Sequence, residues 1–209
     1  MGSEVFSTKK LFTDVSKIFR FIFNQVRNFH DQSKFYSSYN KFFVVDNSST
    51  LLSKLKQCNI KKNAKSIATF DFATLYTKIP HEKLIETLHS IIDFVLCASK
   101  KSKKTYICVN YKSAFWTKSP KNNFSKKNIK DAVQYLINEC HFTIGNFTFS
   151  QIIGIPMGID PAPFWANLFL SHFETNLMDQ FIRTDIVIAK RYHATYRFID
   201  DLCTLNNNR

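Results

Sequence analysis

The sequence predicts an α+β chain in which antiparallel strands are backed by helices. Several helix-length segments carry apolar residues at helical spacing, and shorter apolar runs of strand length lie between them. Two pairs of these runs are joined by two-residue turn signals, Gly145-Asn146 and Asp200-Asp201, which is typical of β-hairpins. At 209 residues the chain is long enough to bury a core, as one large domain or two small ones.

The composition favours a polyanionic partner. Lys and Arg number 29 against 16 Asp and Glu, which gives a formal net charge of +13. Such a charge favours nucleic acid first and an anionic membrane surface second. Aromatic residues make up 15% of the chain and offer rings on which bases can stack. Only four glycines are present, which argues against a glycine-rich phosphate loop.

The cysteines and the apolar runs indicate the compartment. Five cysteines are scattered without a C-x-x-C pair, which predicts buried free thiols rather than a zinc site or a disulfide framework. No secretory segment opens the sequence, and no apolar run is long enough to span a bilayer. We therefore expect an intracellular protein, in the nucleus, with no membrane partner.

Five segments have the apolar spacing of amphipathic helices. The segments are residues 9–29, 51–55, 84–96, 129–137 and 162–177. The segment 9–29 has a basic face, and the segment 51–55 follows a Ser-Ser-Thr run at 48–50 whose hydroxyls can cap a helix.

The strand predicted over residues 66–72 contains a carboxylate near its end. The run is apolar enough for a buried strand, and burial of Asp71 is costly unless a cation or hydrogen-bond donors accompany it. A helix follows after a short loop. Asp71 is therefore expected at the carboxyl end of a strand, a common position for a site.

Residues 100–130 combine basic and aromatic side chains. Lysines bind phosphates and aromatic rings stack on bases, so this composition is typical of a nucleic-acid-binding track. A solvated insertion accounts for the same composition equally well. The candidate nucleic-acid contacts are Lys100, Lys101, Lys103, Lys104, Trp116 and Lys118.

A constrained loop and a hairpin complete the candidate site. Glycines and prolines in residues 151–163 hold the backbone in a fixed, closely approachable path before a helix. Near the C-terminus Asp200 and Asp201 lie between two apolar runs, which predicts a hairpin with both acids at its tip. Alone, this pair is better explained as an ordinary turn, because Asp is a common turn residue.

The three carboxylates together indicate a divalent metal site. Carboxylate oxygens are the ligands that Mg²⁺ prefers, and Asp71 precedes a helix while Asp200 and Asp201 occupy a hairpin. Two ions about 3.5–4 Å apart stabilise both the attacking and the leaving oxygen of an in-line phosphoryl displacement.

These stretches resemble a known family in their order and spacing. Residues 69–81, TFDFATLYTKIPH, resemble motif A of reverse transcriptases, and residues 198–201, FIDD, resemble motif C. Residues 154–170, GIPMG…AP…ANLFL, resemble motif B. The residues of motifs A and B are most similar to those of the Penelope-like retroelements, which are related to telomerase catalytic subunits. The resemblance covers about residues 67–205.

The resemblance implies an RNA-directed DNA polymerase, a nucleotidyltransferase of a retrotransposon. Asp71 and Asp200 would ligate two Mg²⁺ ions, with Mn²⁺ as an alternative, joined by the main-chain carbonyl of Phe72. Asp201 would stand beside them as the third catalytic carboxylate. The partners implied are an RNA template, a DNA primer and dNTPs.

The resemblance also implies a nucleotide pocket. Tyr76 matches the steric gate whose ring excludes a ribose 2′-hydroxyl, and Met157 and Gly158 would line the nascent base pair. Met157 stands where many reverse transcriptases have Gln. Asp160 adds a negative charge near a site that must accept a triphosphate, and the sequence offers no reason for it.

The implied organisation is a reverse-transcriptase palm with a partial helical fingers lead-in. The lead-in covers residues 1–62 and the palm residues 63–209, including the basic aromatic insertion 100–130. Within the palm, motif A covers 67–80, motif B 151–170 and motif C 197–205. The thumb is expected to be absent, so this chain alone is expected to be inactive or weak.

Two other functions fit the sequence. The first is a catalytically incompetent, truncated relic that acts as a basic RNA- or DNA-binding module, with salt-dependent binding that does not need the aspartates. The second is a structural or assembly protein, which only the basic amphipathic helix at residues 9–29 favours.

Overall fold

The computed structural model describes residues 8–33, 39–60, 65–99, 105–156 and 158–205. The helices are α1 (Thr8–Ser33), α2 (Ser48–Ile60), α3 (Leu75–Lys78), α4 (His81–Ser99), α5 (Lys126–Asn138), α6 (Ala162–Thr184) and α7 (Ile186–Tyr192). The strands are β1 (Ile67–Asp71), β2 (Tyr106–Val109), β3 (Ala114–Thr117), β4 (His141–Ile144), β5 (Phe147–Ser150), β6 (Thr195–Phe198) and β7 (Asp201–Leu205).

The strands confirm the predicted α+β class with antiparallel sheets. One sheet has the order β1-β7-β6, and the other two are the hairpins β2–β3 and β4–β5. All of these strand pairs are antiparallel. In the part of the chain that is described, no helix is long and apolar enough to cross a membrane.

The chain divides into two compact units. Unit 1 comprises Met1–Val26 and Tyr76–Phe169, and unit 2 comprises Arg27–Leu75 and Leu170–Arg209. The predicted boundary at residue 62 separates functional domains, and it stays a prediction.

Unit 1 has a helical core. Phe19 of α1 meets Trp165 of α6 edge-on, with ring centroids 5.8 Å apart. Helices α4 and α5 pack together, and their facing residues are fully buried: Leu84, Leu88, Ile92, Ile129, Val133 and Ile137. The apolar spacing of these helices is therefore satisfied by one shared core.

An ion pair joins α4 to α5 within unit 1. The Asp93 carboxylate accepts hydrogen bonds from the ammonium of Lys130 at 2.7 Å and pairs with Lys126 at 3.1 Å. Burial raises the pKa of Asp93, but the hydrogen bonds and positive charges of Lys130 and Lys126 outweigh it and leave that pKa below its ordinary value.

Unit 2 contains the three-stranded sheet. The buried segment 42–45 runs parallel to β6 at its outer edge, where Arg197 N donates to Phe43 O and Val45 N donates to Arg197 O, both at 2.8 Å. Phe43 also packs with Met178 of α6 and Ala189 of α7. Helices therefore cover one side of the sheet, as the sequence predicts.

Three local expectations are wrong. Strand β1 forms over residues 67–71, but its side chains are mostly exposed, because β1 lies at an edge of the sheet. Helix α2 is capped by Asn47, whose side-chain oxygen accepts from Thr50 N at 2.8 Å, rather than by the hydroxyls at 48–50. Of the four described cysteines, all are free, and Cys97 is exposed instead of buried.

Candidate functional site

The three predicted carboxylates lie together in unit 2. Oxygen atoms of Asp71, Asp200 and Asp201 are all within 4.8 Å of one another. Asp71 of β1 and Asp201 of β7 are directly opposite in the antiparallel register, so their side chains share a face of the sheet. Beyond this pair Phe72 N donates to Asp200 O at 3.1 Å, which ties the end of β1 to the hairpin.

The hairpin tip differs by one residue from the prediction. Phe198 pairs with Asp201, so the two turn residues are Ile199 and Asp200, and Asp201 begins β7. Ile199 has φ +56°, a left-handed conformation that is strained for a β-branched side chain. A residue of this kind in a turn persists only where the surrounding structure holds it in place.

Arg197 holds this turn and was missed by the sequence reasoning. Its side chain is fully buried, and Nη1 donates to Ile199 O at 2.7 Å. Nε and Nη2 donate to the Glu174 carboxylate of α6 at 2.5 and 3.2 Å. Arg197, itself held by Glu174, therefore fixes the carbonyl that directly precedes Asp200. The only sequence signal was a basic residue inside an apolar run.

The acidic cluster fits a divalent cation. Three carboxylates at this separation repel one another, and no described side chain forms an ion pair or side-chain hydrogen bond with them. The Phe72 carbonyl accepts from Leu75 N at 3.2 Å and keeps a second lone pair for another partner. These are all oxygen ligands, which suit Mg²⁺ or Mn²⁺.

A neighbouring cysteine does not belong to the ligand set. Cys203 lies in β7, two residues after Asp201, and its side chain is buried. Burial raises the pKa of the Cys203 thiol, so the group stays protonated at neutral pH. The cluster therefore presents oxygen and not sulfur to a metal ion.

The constrained loop is joined to α3 and α4 inside unit 1. Ile155 N donates to Tyr76 O at 2.6 Å, and Gly154 N donates to Ile79 O at 2.8 Å. The ring of His81 lies 2.8 Å from Gly154 O. A Cβ on Gly154 would come within 2.5 Å of Tyr76 O, so only glycine allows this approach.

A cavity of about 390 Å³ in unit 1 contains the predicted gate residue. Tyr76, Gly158 and Asp160 line it together with Ile159, Ala162 and Pro163. Asp160 is held by α1, where the Thr13 hydroxyl lies 3.1 Å from its carboxylate and Ser16 Oγ donates to its carbonyl at 3.2 Å. This contact gives Asp160 a structural role that the sequence did not reveal. Met157 lies outside the described residues.

The predicted nucleic-acid contacts are only partly described. Lys118 is exposed, and the ring of Trp116 packs edge-on against Phe21 with centroids 5.1 Å apart. Lys100, Lys101, Lys103 and Lys104 lie outside the described residues. The role of all six residues stays a prediction.

The α+β fold of this chain is of the reverse-transcriptase-like type that telomerase also has. No protein-family model and no curated protein matches the sequence.

Two telomerase structures are similar to it. Telomerase from Candida albicans in complex with a TWJ fragment of telomeric RNA has a TM-score of 0.66 and 14% identity, covering 93% of this chain and 30% of that one. Apo telomerase from Candida tropicalis has a TM-score of 0.63 and 13% identity, covering 94% of this chain and 31% of that one. The chain thus spans less than a third of the telomerase chains that it matches.

Proposed function

We propose that this chain is the palm region of an RNA-directed DNA polymerase that adds nucleotides to a primer 3′-hydroxyl. The observation that carries the proposal is the cluster of Asp71, Asp200 and Asp201, whose oxygens lie within 4.8 Å of one another. The likeness to telomerase supports the polymerase-type fold. The residue pattern of the motifs supports a retroelement of the Penelope-like type, which would act in the nucleus.

The residues in and around the acidic cluster would bind the metal ions and hold the ligands in position. Asp71 and Asp200 would bind two divalent cations with the help of the Phe72 carbonyl, and Asp201 would add negative charge beside them. When bound, such ions stabilise the attacking and the leaving oxygens of phosphoryl transfer. Arg197 would keep Asp200 in position through its hydrogen bond to Ile199 O.

Unit 1 would supply the nucleotide pocket. The ring of Tyr76 would exclude a ribose 2′-hydroxyl, while Met157 and Gly158 would line the new base pair. Gly154 supports this role because it lets the loop bond directly to the backbone of Tyr76. In domain terms, residues 1–62 would be the fingers lead-in and residues 63–209 the palm.

Primer extension with the complete reading frame that contains this sequence tests the proposal. Asp200→Asn keeps the size of the side chain and removes its charge. We expect a loss of about 10³-fold or more in the extension rate, because several kcal/mol of charge stabilisation depend on the bound ions.

The control is Asp131→Asn, which removes the same charge from the exposed face of α5. This variant should extend the primer at the wild-type rate. Equal extension by Asp200→Asn would overturn the polymerase proposal and leave nucleic-acid binding as the function to pursue.

A further inference from the structure

A second cavity in unit 1 shares no residue with the pocket around Tyr76. It is a cleft of about 960 Å³ between the start of α1, the β2–β3 hairpin and the start of α5. Lys9, Lys10 and Lys17 of α1 line one side, and Tyr111 and Asn128 line the other. The volume is at the upper end of the range for ligand pockets, about 300–1,000 Å³.

The lining of the cleft is positively charged. Its three lysines face one carboxylate, Asp14, so the lining has a net charge of +2. The Lys17 ammonium donates to Asn110 O at 3.1 Å and lies 3.9 Å from Asp14. Lys9 and Lys10 occupy the first turn of α1, which contains no acid. Cations there oppose the helix dipole, so an anion in the cleft would relieve an unfavourable arrangement.

An aromatic ring stands at the edge of the same cleft. Tyr111 is 91% exposed and lies two residues after the end of β2. The turn that carries it is well ordered, because Asn110 Oδ1 accepts from Lys112 N at 2.9 Å and from Ser113 N at 2.7 Å. Tyr111 is therefore presented to solvent by a fixed turn, and its exposed ring is available for stacking.

The geometry points to a binding site for single-stranded nucleic acid in this cleft. Phosphates would contact Lys9 and Lys10, and a base would stack on Tyr111, which is the combination that single-strand binding uses. An acidic peptide would match the charge but leaves the exposed ring unexplained. Lys126 and Lys130 of α5 are not part of the site, because Asp93 already pairs with both.

This inference deepens the proposed function by assigning a strand contact outside the acidic cluster, and its biological role rests on that function. Its test does not, because binding is measured without catalysis. The 209-residue chain is titrated into fluorescein-labelled 12-nucleotide RNA and DNA, single-stranded and duplex, over a range of salt concentrations.

The first variant is Lys9→Gln with Lys10→Gln. Loss of two phosphate contacts should lower the slope of log K against log salt concentration by about 1.4. The ratio of wild-type to variant affinity for the single strand should therefore be about 25-fold larger at 0.1 M salt than at 1 M salt. The matched control is Lys190→Gln with Arg191→Gln, two exposed basic residues of α7, which should change the slope by much less.

The second variant is Tyr111→Ala, with Tyr135→Ala on the exposed face of α5 as its control. Loss of one stacked base should weaken binding about fivefold or more at every salt concentration. Circular dichroism melting of each variant confirms that the chain still folds.

Any of three results would overturn the inference. The first is that the cleft variants bind the single strand as tightly as their control variants do. The second is that the chain binds the duplex as tightly as the single strand, and the third is that a glutamate-rich peptide competes for the chain as well as RNA does. Comparison of the affinities for single-stranded RNA and single-stranded DNA shows whether the cleft prefers the chemistry of the proposed template or that of the proposed primer. These readouts measure binding and not primer extension, so a failure of the polymerase proposal leaves this result intact.

Discussion

Arg197 contacts the turn that carries Asp200 of the acidic cluster. It is fully buried, it pairs with Glu174, and it donates to the carbonyl of Ile199, whose φ is +56°. The left-handed conformation costs roughly 1–2 kcal/mol for a residue other than glycine, so the turn needs an external hold. We infer that Arg197 acts on Asp200 by positioning it.

Arg197→Met tests this role. Removal of the Arg197 charge leaves the largely buried Glu174 carboxylate without its partner, so the free energy of unfolding should fall by up to about 3–5 kcal/mol in urea titrations. The exposed pair Lys83–Glu86 is the control, and Lys83→Met should cost less than about 1 kcal/mol.

A double variant separates positioning from stability. Arg197→Met with Glu174→Leu removes both charges and should recover most of the lost stability. It still leaves Ile199 O without its donor, so the affinity for Mn²⁺ should stay below that of the wild type. Wild-type Mn²⁺ affinity in the double variant would contradict the positioning role.

Individual residues were predictable where their chemistry was unusual for their surroundings. Asp71, Asp200 and Asp201 interrupt apolar runs, and the structure brings them together. The hairpin tip was misplaced because Asp is a common turn residue, whereas Ile199 has to adopt a conformation that its side chain disfavours. Such strain is held by tertiary contacts, which a local pattern does not contain.

At the scale of elements, one loop joins the motif-like segments of unit 1. Gly154 and Ile155 bond to the backbone of Ile79 and Tyr76, so the loop before α6 is attached to the segment that carries the predicted gate. The approach depends on the missing side chain at Gly154, which has φ +91°.

Gly154→Ala tests this attachment. The positive φ costs about 1–2 kcal/mol for alanine, and the contact at 2.5 Å with Tyr76 O adds an overpacking cost of about 1–3 kcal/mol. Gly145→Ala in the β4–β5 turn is the control, because its φ is +60° and no heavy atom lies within 4 Å of the added Cβ. Equal losses in thermal melting would show that strain alone matters and that the close approach does not.

The elements themselves were largely predictable. Helices α1, α4, α5 and α6 follow their apolar spacing, and the β4–β5 hairpin follows its turn signal. The exposure of β1 was not predictable, because an apolar run does not reveal whether its strand lies at the centre or the edge of a sheet. Helix α7 begins at Ile186 and is capped by Asp185, whose carboxylate accepts from Val187 N and Ile188 N.

At the scale of the whole molecule, a chain with a positive net charge contains a local cluster of three negatively charged carboxylates. The chain carries a net charge of +13, yet its three clustered carboxylates have no cationic partner among the described side chains. A basic chain that leaves such a cluster unpaired suits a divalent cation and a polyanionic substrate. The proposed function depends on this cation site.

Mn²⁺ binding followed by electron paramagnetic resonance therefore tests the central claim most directly. The wild-type chain should bind Mn²⁺, and Asp71→Asn should lose most of that binding because it removes one of the three clustered ligands. Asp131→Asn, which removes the same charge from α5, should bind like the wild type. Unchanged Mn²⁺ binding in Asp71→Asn would contradict the assignment of the cluster as a metal site.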